Sequence, residues 1–253
     1  MKKSLLAAVA AVCLLGTVLA LPAHAQSGGA VYGGVLSELN NSGASGSAKI
    51  TVADDGLTMT IEVNARNLNL NGPHAMHLHG KVEGNAVIAS TCPTDADDGD
   101  GDGVLTVLEG APKYGGVQVS LTTNGDTSAD SALAVDRYLA GQTINYNRAG
   151  IPIPEVLRSN EGKLHVVVHG IDENGNGTLD LDQTERSSLT DDLPREATAP
   201  ALCGTLTVQA TGPVQTGGGG TASDSPFAMI SVGAGFVALS GAAFALRRRD
   251  DQV

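Results

Sequence analysis

Histidine is scarce in this chain and unevenly placed. His24 lies near the N-terminus. The other five fall in two short stretches, Gly72-Pro73-His74-Ala75-Met76-His77-Leu78-His79-Gly80 and Lys163-Leu164-His165-Val166-Val167-Val168-His169-Gly170. Each reads as a strand, on which alternate side chains share a face. His77 and His79 then point one way and Met76 and Leu78 the other. In the second stretch His165, Val167 and His169 share a face opposite Val166 and Val168. Neutral imidazoles suit copper or zinc. Three of them, from His77, His79 and His169, with one position left open, could hold either ion and let copper cycle between its oxidation states. The plain alternative is exposed polar residues on the outside of a sheet. His74 is expected to be structural, bonding backbone or a loop. His165 and His169 stand about 13 Å apart along an extended strand, too far to share an ion. His165 is therefore a satisfied surface residue or part of a second, weaker site.

Two loops carry a different chemistry. Asp98, Asp100, Asp102, Gly103 and Glu109 fit the calcium-loop pattern Asp-x-Asp-x-Asp-Gly-x5-Glu. Asp98, Asp100 and Asp102 would converge around the turn at Gly103, Val104 would offer its carbonyl, and Glu109 would bind with both oxygens. Leu105 anchors the loop. A flexible acidic turn is the alternative. Asp172, Asn174, Asn176 and Thr178 begin a second such loop, but its twelfth position is Gln183. Glu185 could reach instead, so weaker calcium binding or none is expected there. No flanking helices are evident, so these are not EF-hand domains.

The elements that must position these residues lie between two addressing segments. Residues 1–25 read as a signal peptide: Lys2 and Lys3, an apolar run from Leu5 to Leu21, and the small-x-small site Ala23-His24-Ala25. Residues 226–249 read as a membrane anchor, with the uncharged run Phe227–Leu246 closed by Arg247-Arg248-Arg249. Residues 211–225 form a Gly-, Ser- and Thr-rich linker, and 250–253 a short tail. A cell-wall sorting signal would end similarly, but its Leu-Pro-x-Thr-Gly motif is absent. The domain proper is 26–210, exported and held on the cell surface. The formal net charge of −12 disfavours nucleic acid and favours cations as partners. After the leader, two cysteines remain, Cys92 and Cys203, and an even pair in an exported chain reads as a disulfide.

Aromatic residues make up 3% and glycines number 33, which suits short strands and tight turns better than long helices. Strands are expected at 29–39, 48–52, 57–63, the first histidine stretch, 116–122, 142–147, the second histidine stretch and 204–210. Leu57, Met59, Ile61 and Val63 should face the core. Residues 130–140 read as a short helix or turn, and Ile151-Pro152-Ile153-Pro154 as extended. The fold class is all-β, a Greek-key sandwich or barrel of about eight short antiparallel strands.

Several of these segments together resemble the copper/zinc superoxide dismutase family. Gly72-Pro73-His74-Ala75-Met76-His77-Leu78-His79 is similar to that family's Gly-x-His-Gly-Phe-His-Val-His strand, whose last two histidines bind copper. Val167-Val168-His169-Gly170 resembles its Val-Val-His, which gives another copper ligand, and a Gly-rich acidic loop follows in the matching place. Cys92 and Leu202-Cys203-Gly204 resemble the two halves of its disulfide. The resemblance spans roughly residues 30–210 and implies copper at His77, His79 and His169. It also departs from the family. Residues 93–116 hold no histidine where the zinc ligands belong, so zinc is not expected. Pro200 stands three residues before Cys203, where the family has an arginine that guides the anion. The His-x-His-Gly string also resembles CHRD domains, which do not account for the cysteine pair.

Two function classes follow. One is a copper-dependent dismutase using His77, His79 and His169, slow because an acidic protein without the guide arginine repels an anion. The other is a non-enzymatic surface module with calcium-braced loops. No nucleophile constellation and no phosphate-cradling glycine loop is visible.

Overall fold

A computed structural model describes residues 29–210. The expected signal peptide, linker, anchor and tail lie outside the described residues. Among those described, no helix is long and apolar enough to cross a membrane.

Ten strands form one curled antiparallel sheet: β1 (Val31–Glu38), β2 (Ser45–Val52), β3 (Thr58–Arg66), β4 (Met76–Glu83), β5 (Ala86–Ile88), β6 (Gly116–Ser120), β7 (Thr143–Pro152), β8 (His165–His169), β9 (Pro200–Thr205) and β10 (Thr207–Gln209). The main path runs β5-β4-β8-β9-β1-β2-β3-β7, with β6 on β4 and β10 on β1. About eight strands were expected. The additional ones are β5, three residues long and too short for alternation to reveal it, and β9, because the strand expected at 204–210 takes in β10 and only the last two residues of β9.

β3 shows why the sheet forms. Its alternating Met59, Ile61, Val63 and Ala65 are buried, with threonine and charge between them. Leu57, expected to join them, is 48% exposed. It falls in the hairpin turn instead, where its N–H donates to Asp55 Oδ1 at 2.8 Å. The same core takes Leu78 and Val87 from β4 and β5, Val166 and Val168 from β8, and Leu202 from β9. Both halves of the sheet thus bury one face in a single cluster, which is what curls it.

β1 joins the halves. Its first part pairs β2 and β10, and its end pairs β9 through Ser37–Cys203 and Glu38–Leu202. Gly34 permits this: a Cβ there would stand 2.4 Å from the Thr205 carbonyl oxygen.

A helix that the sequence reading omits, α1 (Val107–Tyr114), follows the first acidic loop. It starts on a capping box. Thr106 N–H donates to Glu109 Oε2 at 2.8 Å, and Glu109 N–H returns to Thr106 Oγ1 at 3.4 Å. The loop therefore does have an exiting helix. Leu105 and Tyr114 pack with Leu39, Val167 and Cys203 in a second cluster on the other face of the sheet. The Cys92–Cys203 disulfide sits there, with Cα atoms 5.8 Å apart and a sequence separation of 111. A single turn of helix, α2 (Arg195–Thr198), leads into β9.

Candidate metal centre

β4 and β8 are antiparallel neighbours, with His77 opposite Val167 and His79 opposite His165. His169 lies just past this ladder, its N–H donating to the Ala75 carbonyl at 2.8 Å. Opposed residues share a face, so His77, His79 and His169 project together. Register shifts beside two of them sharpen the convergence. One lies at Leu78/His79 against β6, the other at Val168/His169 against β9. Bulges of this kind re-aim a side chain.

The three rings close on one point. Centroids are 5.0 Å apart for His77–His169, 5.5 Å for His77–His79 and 5.7 Å for His79–His169. Each ring offers a nitrogen within 4.8 Å of the other two. The outer nitrogens are held by carbonyls. His77 Nε2 donates to Ala132 O at 3.0 Å, His79 Nδ1 to Gly115 O at 2.9 Å, and His169 Nδ1 to Thr198 O at 2.6 Å. Tyr138 Oη also lies 3.1 Å from His77 Nε2. A carbonyl can only accept, so each outer nitrogen carries the proton and the remaining one keeps its lone pair. Those remaining nitrogens, His77 Nδ1, His79 Nε2 and His169 Nε2, are buried and have no partner. A buried polar atom without a partner is costly and calls for an explanation. A metal ligand whose other nitrogen is tied to a carbonyl is one. These histidines form a group able to hold a metal ion.

The sequence places the rings on the outside of a sheet. The structure buries them, each less than 5% exposed, beneath segments near 132–138 and 189–198 and the start of α1. Burial lowers the basicity of all three. His77 is pushed well below the ordinary imidazole value by burial, then by the neighbouring His169 and His79. His79 falls to about 3, through burial and then His169. His169 falls to about 4 through burial, against the opposing bond to Thr198. Neutral rings with free lone pairs fit copper or zinc.

A cavity of about 40 Å³ adjoins the rings. Its other walls include Val107, Val117, Leu133, Val135, Leu189 and Leu193. Among the described residues, no charged side chain lines it, although the protein as a whole is acidic. In its wall residue Thr198, the carbonyl accepts from His169 and Oγ1 donates to Ser187 Oγ at 2.8 Å.

The remaining histidines have other duties. His74 lies 2.8 Å from the His169 carbonyl through Nδ1 and 3.0 Å from the Leu70 carbonyl through Nε2, pinning the end of β8. Gly170 leaves room for it: φ there is +103°, and a Cβ would stand 2.6 Å from His74 Nδ1. His165 is fully buried, not on the surface. Its nitrogens meet Ser90 Oγ at 2.8 Å and Thr205 Oγ1 at 3.0 Å, with Cys92 Sγ 3.9 Å away. Burial takes it to about 4.

In the first acidic loop, Asp98, Asp100 and Asp102 each bring an oxygen within 4.8 Å of the others. Asp98 also accepts from Gly101 and Gly103 N–H, both at 2.9 Å. Val104 N–H donates to Asp102 at 2.9 Å. Glu109 reaches back to Gly99 N–H at 2.8 Å while capping α1. In the second loop Asp172 accepts from Gly175 and Gly177 N–H, both at 2.8 Å. Asn174 and Asn176 donate to Asp180 Oδ2 at 2.6 and 2.7 Å, and Thr178 Oγ1 bonds Asn176. Arg195 joins the loops, pairing with Asp102 of the first and with Glu173 of the second at 2.7 Å.

No protein-family model matches the chain, and no curated protein matches it. Among solved structures, the chain matches superoxide dismutase 5 of Candida albicans, described with Cu(II), at 17% identity and a TM-score of 0.39. The match covers 75% of this chain and 98% of that one.

Sequence reasoning finds the three histidines but not what orients them. Ala132, Gly115 and Thr198 act through backbone carbonyls, which carry no residue signature.

Proposed function

We propose that this is an exported copper-binding domain with copper at His77, His79 and His169, and that it turns superoxide over slowly. The convergence of three unpartnered nitrogens, each on a ring fixed by a carbonyl, supports this reading. The motif resemblance to copper/zinc superoxide dismutases favours copper among the ions that imidazole accepts. Bound copper would supply one-electron redox chemistry. The protein's own part is to present three neutral nitrogens, fix their tautomers and limit water. Calcium at Asp98, Asp100, Asp102, Val104 and Glu109 would brace the segment leading into α1, whose Val107 walls the cavity. Weaker calcium binding is assigned to Asp172, Asn174, Asn176 and Thr178. Residues 226–249 would anchor the domain outside the cell.

One observation favours a second reading, a non-enzymatic surface module. Among the described residues, no cation lines the cavity to attract an anion. Copper titration into the metal-free domain and into His77→Ala and His169→Ala tests the site. Both variants should lose most of the affinity. Equal affinity in all three proteins ends the assignment. Strong binding with no superoxide turnover at any salt concentration selects the module. Where turnover occurs, added salt should raise it, because screening weakens the repulsion between a net −12 protein and an anion.

A further inference from the structure

The walls of the cavity bear on which molecules could reach a metal there. Leu133 is 43% exposed and Leu189 46%, both large apolar residues at its rim. Val135 and Leu193 complete that side. Two arginines follow rim residues closely in sequence, yet both are committed elsewhere. Arg137 donates to the Asp126 carbonyl at 3.1 Å and to Ser131 Oγ at 2.7 Å. Arg195 is held by Glu173 and Asp102. The carbonyls of Ala132 and Thr198 already accept from His77 and His169. An anion entering would shed its water against apolar walls with no side-chain cation to meet it, which is unfavourable. A small neutral molecule sheds far less. The volume of about 40 Å³ limits the occupant to a few heavy atoms.

We propose that the cavity beside the three histidines favours small uncharged molecules over anions, with Leu133, Val135, Leu189 and Leu193 setting that preference. The inference rests on the copper reading above and adds the class of ligand. It also gives a structural reason for slow superoxide turnover, since superoxide is an anion.

The test begins with copper content of the full domain, of Leu133→Lys and of Leu189→Lys. Both sites are partly exposed, so a lysine head can reach water without entering the core. The cuprous proteins are then exposed to carbon monoxide and read by the infrared C–O stretch. The cupric proteins are titrated with azide and read by visible absorption and electron paramagnetic resonance. The wild type should take carbon monoxide and bind azide at least about tenfold more weakly than either lysine variant, with the carbon monoxide signal unchanged among the three. Wild-type azide affinity equal to that of a free copper–imidazole complex overturns the proposal whatever the variants do. So does failure of carbon monoxide to bind. If the wild type takes up no copper, both readings fall. If copper binds and azide binds tightly, only this one does.

Discussion

Replacing His165 by glutamine should remove a specific part of the acid sensitivity of the metal-free protein. Burial holds this imidazole near 4, against an ordinary value of 6.5. Its proton is therefore bound more tightly by the unfolded chain than by the folded one. The stability it permits is complete above pH 6.5 and is lost as the pH falls towards 4. At pH 4 the gap corresponds to about 3 kcal/mol of lost stability relative to neutral pH. Glutamine can still bond Ser90 and Thr205 but cannot protonate. Urea unfolding in chelator, with oxidised disulfide, would be measured from pH 7.5 down to pH 4 for wild type and His165→Gln. Any packing lost in the variant lowers its stability at every pH, so the quantity read is the difference in slope. The wild type should lose about 3 kcal/mol more than the variant across this interval. Parallel curves would refute the reasoning, because the other buried histidines are common to both proteins and cancel.

Two further outcomes are expected. Reducing the Cys92–Cys203 bridge, or replacing both cysteines by serine, should cost about 4–5 kcal/mol by the chain-entropy argument for a loop of this length. Urea midpoints that coincide for oxidised and reduced protein would count against it. Excess chelator should lower the melting temperature of the wild type, and Glu109→Gln should abolish most of that response. Glutamine can keep the capping box on α1, so the substitution separates the helix cap from a ligand charge. A wild-type melting curve indifferent to chelator would leave the loop from Asp98 to Glu109 as an acidic turn.

The sequence makes some of this site legible and hides the rest for identifiable reasons. Period-two alternation puts His77 with His79 and His169 with Val167, and β4 and β8 bear that out. What covers them is not legible. The segments carrying Leu133 and Leu189 are turns and irregular loops without periodicity, so nothing marks them as the roof of a buried site. His165 looks like a surface residue because a strand's outer face is read as solvent, whereas a second apolar cluster lies on that face. The helix α1 does carry a sequence mark, since Thr106-x-x-Glu109 is a capping-box signature. The calcium-loop pattern claims the same Glu109 and masks that signature, because one carboxylate can serve a cap and face a loop together. The Gly33-Gly34 interruption in β1 is visible in sequence. Its cause, the approach of Thr205, is not.

The position of β1 has a consequence for when the domain can be finished. A chain is made from its N-terminus, so β1 is synthesised first among the ten strands. Its partners β9 and β10 come last, with Ser37 waiting for Cys203 and Val31 for Gln209. The third histidine is late too: His169 needs β8 laid on β4 and the Thr198 carbonyl from α2 to fix its ring. Such long-range pairings close only when the whole domain is available. A partly made chain therefore exposes His77 and His79 without their third companion. Any metal these rings hold would be selected by the completed domain, in whatever compartment that completion happens.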